Sequence, residues 1–124
     1  MSLFLLLASF FGFTGVGLGA FGAHAFNTVL VANDRLATFQ TGVQYHLIHA
    51  VALLVVAMLG QQQSSNFLTI AGWAFTVGIV LFSGSLYVLS LANLRIMGAV
   101  APLGGLAFLV GWGCIFAHAW TVRA

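Results

Sequence analysis

Residues 3–26 read LFLLLASFFGFTGVGLGAFGAHAF, a run of 24 positions without one charged side chain. About 20 consecutive apolar residues carry a helix across a bilayer, so this stretch can span. Three more such runs follow, at about 38–60, 67–92 and 96–122. Helices are the open-ended elements that satisfy their own backbone in lipid, and the ten-residue alternation of a barrel strand is not visible. The sequence predicts an all-α fold: an integral membrane four-helix antiparallel bundle, with residues 1–124 as a single membrane domain and both termini on one side. Ala23-His24-Ala25 has the small-x-small look of a signal cleavage site. No Lys or Arg precedes the run, and it outlasts a signal core, so it is read as a retained helix.

Composition agrees. Of 124 residues 62% are hydrophobic and 3% charged, the latter being Asp34, Arg35, Arg95 and Arg123. A soluble domain carries about a quarter charged residues, so a soluble enzyme, a disordered tail and a nucleic-acid binder are excluded. The expected partners are the lipid bilayer and, through helix faces, a second copy or a larger membrane complex. Short polar breaks separate the runs: Asn27–Ala37, Gln61–Asn66 and Asn93–Arg95. Arg35 and Arg95 fall on one side and Arg123 on the other, which favours cytoplasmic interhelical loops and outward termini. Asp34 and Arg95 could pair across their loops, worth about 0–1 kcal/mol if exposed. Cys114 lies inside an apolar run and reads as a small hydrophobe.

Packing signals are strong. Ala8, Gly12, Gly15, Gly19 and Gly22 form one stripe on the first helix at alternating spacings of four and three. Thr69, Thr76, Ser83 and Ser90 recur every seven residues on the third helix, and Gly104, Gly111 and His118 do so on the fourth. Small or hydroxyl residues at this period predict closely packed, left-handed neighbours. Gly17 to Gly22 also matches G-x-G-x-x-G. A dinucleotide site needs a strand and a βαβ unit around that motif, so here it belongs to packing. Pro102, followed by Gly104 and Gly105, predicts a kink in the fourth helix.

Polar groups at membrane depth are site candidates by default. Thr41, Tyr45 and His49 share a face of the second helix, with Gln44 beside them. His24 closes the first helix, and Ser83, Ser85 and Tyr87 lie on the third. Counting from the second loop puts Tyr45 level with Ser83, and Gln44 level with Gly84, where the glycine would let backbones approach. Gln44, Tyr45 and His49 are therefore expected to turn inward and find partners among those hydroxyls, since an unpaired polar group in hydrocarbon costs several kcal/mol. No catalytic residue is assigned, because Ser83 and Ser85 have no acidic orienter. Neither a cofactor nor a metal site is expected. His24, His46 and His49 are the imidazoles that would be tried first, yet no carboxylate or cysteine lies near them to complete a site.

Several of these segments fit one family. They are Gly19-Ala20-Phe21-Gly22-Ala23-His24, Thr41-Gly42-Val43-Gln44-Tyr45-His46 with His49-Ala50, Phe82-Ser83-Gly84-Ser85-Leu86-Tyr87, and Pro102 to Phe108 with Gly111-Trp112. Together they resemble the domain-of-unknown-function 423 group of small membrane proteins, which includes transmembrane protein 256. The resemblance implies a bacterial inner (plasma) membrane location, or the mitochondrial inner membrane in a eukaryote, and no established activity. His24, Gln44, Tyr45, His49, Ser83, Ser85 and Tyr87 fall on the family pattern, whereas His46 stands where glutamine is frequent. Three functions compete: an accessory or scaffold protein acting by helix association, an oligomeric pore or carrier for a small solute, and a haem- or metal-linked redox protein.

Overall fold

The computed structural model describes residues 2–123, apart from the side chain of Ala23, so Met1 and Ala124 of the expected domain lie outside it. The described residues form α1 (Ser2–Ala23), α2 (Asn27–Ala32), α3 (Leu36–Gln62), α4 (Asn66–Ala92) and α5 (Met97–Val122). Four of them, α1, α3, α4 and α5, are long and apolar enough to cross a membrane. At 1.5 Å per residue, the 27 residues of α3 measure about 40 Å, which exceeds a hydrocarbon core of about 30 Å.

Residue pairings give the directions. Against α3, Gly15 of α1 meets Leu47, Gly19 meets Val43 and Gly22 meets Phe39, so numbers fall on one helix as they rise on the other. Phe75 meets Gly111, Gly78 meets Phe108, and Phe82 meets Gly104 across the α4–α5 seam in the same sense. Gly42 of α3 lies against Leu86 and Tyr87 of α4. Phe4 of α1 covers Gly72 of α4, which joins the first and third spans across the bundle. The central core holds Phe4, Phe11, Leu53, Leu68, Phe75 and Phe108.

The connections are more ordered than the sequence suggests, and the second is also shorter. The first holds the short helix α2, whose Leu30 is fully buried. Asn33 next to it donates from Nδ2 to the carbonyls of Ser90 (3.0 Å) and Leu91 (3.4 Å), tying α2 to the end of α4. That tie comes from an amide rather than from the Asp34–Arg95 pair the sequence would allow. The second loop shrinks from six residues to Gln63–Ser65, because α3 runs on through Gln62 and α4 starts at Asn66. At the third, Asn93 takes a left-handed conformation (φ 56°) that ends α4, a role open to asparagine because its side chain can bond locally.

The third span departs most from the expected pattern. Residues Ile79–Ser83 form a π-helical turn between the α-helical stretches Asn66–Gly78 and Gly84–Ala92. A π turn inserts an extra residue and shifts the phase of the helix beyond it. The seven-residue series therefore does not keep one face: Thr69 is exposed, whereas Ser83 and Ser90 are buried. On α5 the series Gly104, Gly111 and His118 does keep one face, and all three are buried. Pro102 lies inside α5, which remains helical through it.

Candidate functional site

Two buried imidazoles on α3, His46 and His49, lie about 60° apart around the helix and bond different neighbours. His46 points into the seam with α1 and α4. Its Nδ1 lies 2.8 Å from the Tyr87 hydroxyl and its Nε2 lies 3.2 Å from Thr14 Oγ1. Thr14 donates its own proton to the Phe10 carbonyl at 2.9 Å. Thr14 Oγ1 then accepts from His46 Nε2–H, and Nδ1 accepts from the Tyr87 O–H. The result is a one-way chain of donors from α4 through α3 to α1.

His49, one turn on, is held by groups with no such choice. Its Nδ1 lies 2.8 Å from the Tyr45 carbonyl, which can only accept. Its Nε2 lies 3.0 Å from Trp112 Nε1, which can only donate. The imidazole is thus the neutral Nδ1–H tautomer with both nitrogens occupied. The Phe108 ring stacks on it at 3.6 Å between centres, and Phe75 and Trp112 close the sides at 5.4 and 5.9 Å.

Hydroxyls of α4 use the backbone. Ser83 Oγ donates 2.7 Å to the Gly42 carbonyl of α3. A helix carbonyl is otherwise spent on its own ladder, so this second bond pins α3 to α4 beside the π turn. Ser85 donates to Phe82 of its own helix at 2.9 Å. Among the described residues, no buried side-chain nitrogen or oxygen lacks a partner.

The expected polar face is therefore divided. His49, Ser83 and Ser85 are buried, and Tyr87 is half-buried. Gln44 and His24, expected inside, lie on the outer surface of the chain, and Tyr45 is 40% exposed. The physical reason is α3's own rotation. The helix turns His46, His49 and Gly42 inward, and Gln44 at 100° per residue cannot share that face. Partners differ as well: His49 bonds Trp112 of α5 rather than a hydroxyl of α4. Gly84 meets nothing within 4 Å, and the close approach falls on Gly42, where a Cβ would meet Tyr87 Cε1 at 3.0 Å.

Thr14, Trp112 and Phe108 join the site without having been expected there. A tryptophan deep in a span carries an N–H that needs an acceptor, and the structure supplies His49 for it. Thr14 carries no comparable signal, because a threonine can satisfy itself on its own helix.

Of the helix-packing glycines, Gly15, Gly19 and Gly22 stand against α3, Gly104 and Gly111 stand against α4, and Gly12 meets nothing within 4 Å. The three histidines first considered for a metal do not converge, since His24 is outside and His46 and His49 diverge. Among the described residues, no three His, Cys, Asp or Glu side chains group to hold an ion.

An all-helical chain with four spans, buried histidines and almost no loops defines a small multi-pass membrane protein. Comparison with known proteins supplies the family. The family described as "Protein of unknown function (DUF423)" matches residues 18–105, and the chain belongs to it. The chain is similar to the UPF0382 membrane protein YwdK of Bacillus subtilis, with 47% identity over 113 residues, covering 90% of this chain and 91% of that protein. It is 39% identical over 115 residues to the UPF0382 inner membrane protein YgdD of Escherichia coli K12, covering 93% and 87% of the two chains. A third relative, UPF0382 membrane protein SH2409 of Staphylococcus haemolyticus, is 38% identical over 112 residues, 90% of each chain. No solved structure matches.

Proposed function

We propose that this protein is an accessory or scaffold protein of the membrane, working through helix–helix contact with its own kind or with a larger complex. One observation carries this reading. The interior is closed upon itself, with buried polar atoms partnered among the described residues, while the Gln44 amide is left on the outer surface at membrane depth. Interhelical hydrogen bonding and close packing drive association in lipid, and a helix face is nearly all the surface this chain offers. Affinity recovery of the full chain from native membranes tests it. A second copy or a stoichiometric membrane protein should co-purify, and a lone monomer would overturn the proposal.

A second reading, a carrier for a small solute within an oligomer, has one observation in its favour. A groove of about 560 Å³ opens on the membrane face between α3, α4 and α5, lined by Tyr45, His49, Phe82, Pro102, Phe108 and Trp112. Its size is that of a small-molecule site. Solute flux in proteoliposomes decides for or against it. Redox chemistry on a haem or metal draws less support. His46 and His49 already spend both ring nitrogens on hydrogen bonds, so a ligating role would require displacing Thr14, Tyr87 or Trp112. A Soret band or bound metal in purified protein would support that third reading.

A further inference from the structure

On one side of the α1–α3 seam, a line of depressions follows Gln40, Gln44, Leu47, Val51 and Leu54, spaced four, three, four and three along α3. The upper hollow, about 200 Å³, is lined by Gly19, Gly22, Gln40 and Gln44. The lower, about 420 Å³, is lined by Ala8, Ser9, Gly12 and Phe13 with Leu47 and Val51. A third hollow continues past Gln40 to Asp34 in the first connection. We infer that this seam is the contact face for a second copy of the chain, related by a two-fold axis along the membrane normal. The inference rests on the association reading above and names its surface and partner.

Two features favour a second copy over a lipid chain. Gln44 lies eight residues into α3, about 12 Å from its start and about 7 Å inside the hydrocarbon. Its exposed amide has donors and an acceptor, and a lipid tail can meet neither. Two copies inserted the same way bring Gln44 opposite Gln44 at one depth, so each amide donates to and accepts from its twin. Shape repeats the pattern. Phe13 stands 82% exposed beside Gly12, where an added Cβ would meet nothing within 4 Å. A two-fold exchange, knob for hollow, is what an isologous interface requires.

Cysteine cross-linking of the full chain in membranes tests this, in a Cys114→Ala background. Gln44→Cys and Gly12→Cys should each give a covalent dimer under mild oxidation, and Leu109→Cys on the exposed face of α5 should not. Gln44→Leu should weaken the dimer about eightfold through loss of two reciprocal bonds. Gly12→Leu, whose Cβ meets nothing of its own chain within 4 Å and whose branch enters the hollow, should weaken it while the monomer stays folded. Dimers through Leu109→Cys alone would overturn this surface and leave self-association standing. A monomer that co-purifies with a different membrane protein would overturn the second copy and leave the association reading intact. A monomer with no partner would overturn both.

Discussion

The α4–α5 half and the α1–α3 half draw on the same residue types and pack them differently. Across α4–α5 the exchange is reciprocal: Gly78 receives the Phe108 ring, Gly111 receives Phe75, and Gly104 lies on the backbone of Phe82. Across α1–α3 the glycines all belong to α1 and meet side chains of α3, namely Leu47, Val43 and Phe39. The first seam is interlocked, and the second is a smooth helix laid against a row of side chains. The same contrast marks the two histidines. His49 projects from α3 onto Phe108 and Trp112 of the interlocked half and has its tautomer dictated by a carbonyl and an indole. His46 lies at the smoother seam, held by the hydroxyls of Thr14 on α1 and Tyr87 on α4. One half of the molecule is thus a fixed frame. The other half carries the adjustable contacts and the unpartnered outer face.

The largest expected effect tests the frame. A Cβ on Gly104 would lie 2.7 Å from Phe82 Cα and closer still to its amide nitrogen, and backbone cannot swing aside. Gly104→Ala should destabilise by about 1–3 kcal/mol, the range for forced overpacking, read as a fall in thermal midpoint in detergent. Gly104→Leu should prevent recovery of folded protein. An unchanged midpoint for Gly104→Ala would show that the seam is looser than the contrast claims. Gly111→Ala should cost somewhat less, because it meets the Phe75 ring instead. Phe75→Leu in the same chain should return part of the loss, a coupling that a double-mutant cycle measures.

His49→Leu comes next. It removes the Trp112 bond, about 0.6 kcal/mol on average for such bonds in membranes, and ring stacking worth about 0.5–1.5 kcal/mol. A loss of about 1–2 kcal/mol is expected. Smaller again is Trp112→Phe, at about 0.6 kcal/mol, but it has a second readout. Nitrogen chemical shifts should show His49 in the Nδ1–H form in the parent chain. In Trp112→Phe, Nε2 loses its donor and its shift should move. A shift indifferent to Trp112 would break the distinction between the two histidines.

How much of this was legible depends on what kind of signal each residue sends. The spans were legible because lipid imposes one rule on every residue of them. The α5 stripe of Gly104, Gly111 and His118 was legible because an uninterrupted α-helix keeps its phase. The α4 series was not, since nothing in Ile79–Ser83 announces a π turn, and one extra residue turned Thr69 outward relative to Ser83. Choosing which side of α3 faces inward failed for a related reason. Gln44 and His49 are five residues apart, more than 100° around the helix, so both could not be buried in one narrow seam. Polarity alone favoured both. Packing chose the side with Gly42, where Tyr87 lies so close that an added Cβ would meet its ring at 3.0 Å.

The finest test of the contrast is Gly15→Ala, on the smoother seam. The added Cβ would stand 2.7 Å from Leu47 Cδ2 and 3.1 Å from His46 Cδ2. Leu47 is half-buried at the rim of a hollow, so its terminal methyl can turn away at little cost. His46 is pinned at both nitrogens and must move by a few tenths of an ångström. Overall stability should therefore stay within about 0.5 kcal/mol of the parent, as for substitutions whose neighbours can yield. The displacement should appear instead in the bond from His46 to Thr14, which at 3.2 Å is longer than the 2.8 Å contact with Tyr87. The Nε2 shift of His46 should move while that of His49 stays fixed. A midpoint loss as large as that of Gly104→Ala would mean that the α1–α3 seam is as rigid as the other, and the division into frame and adjustable half would fall.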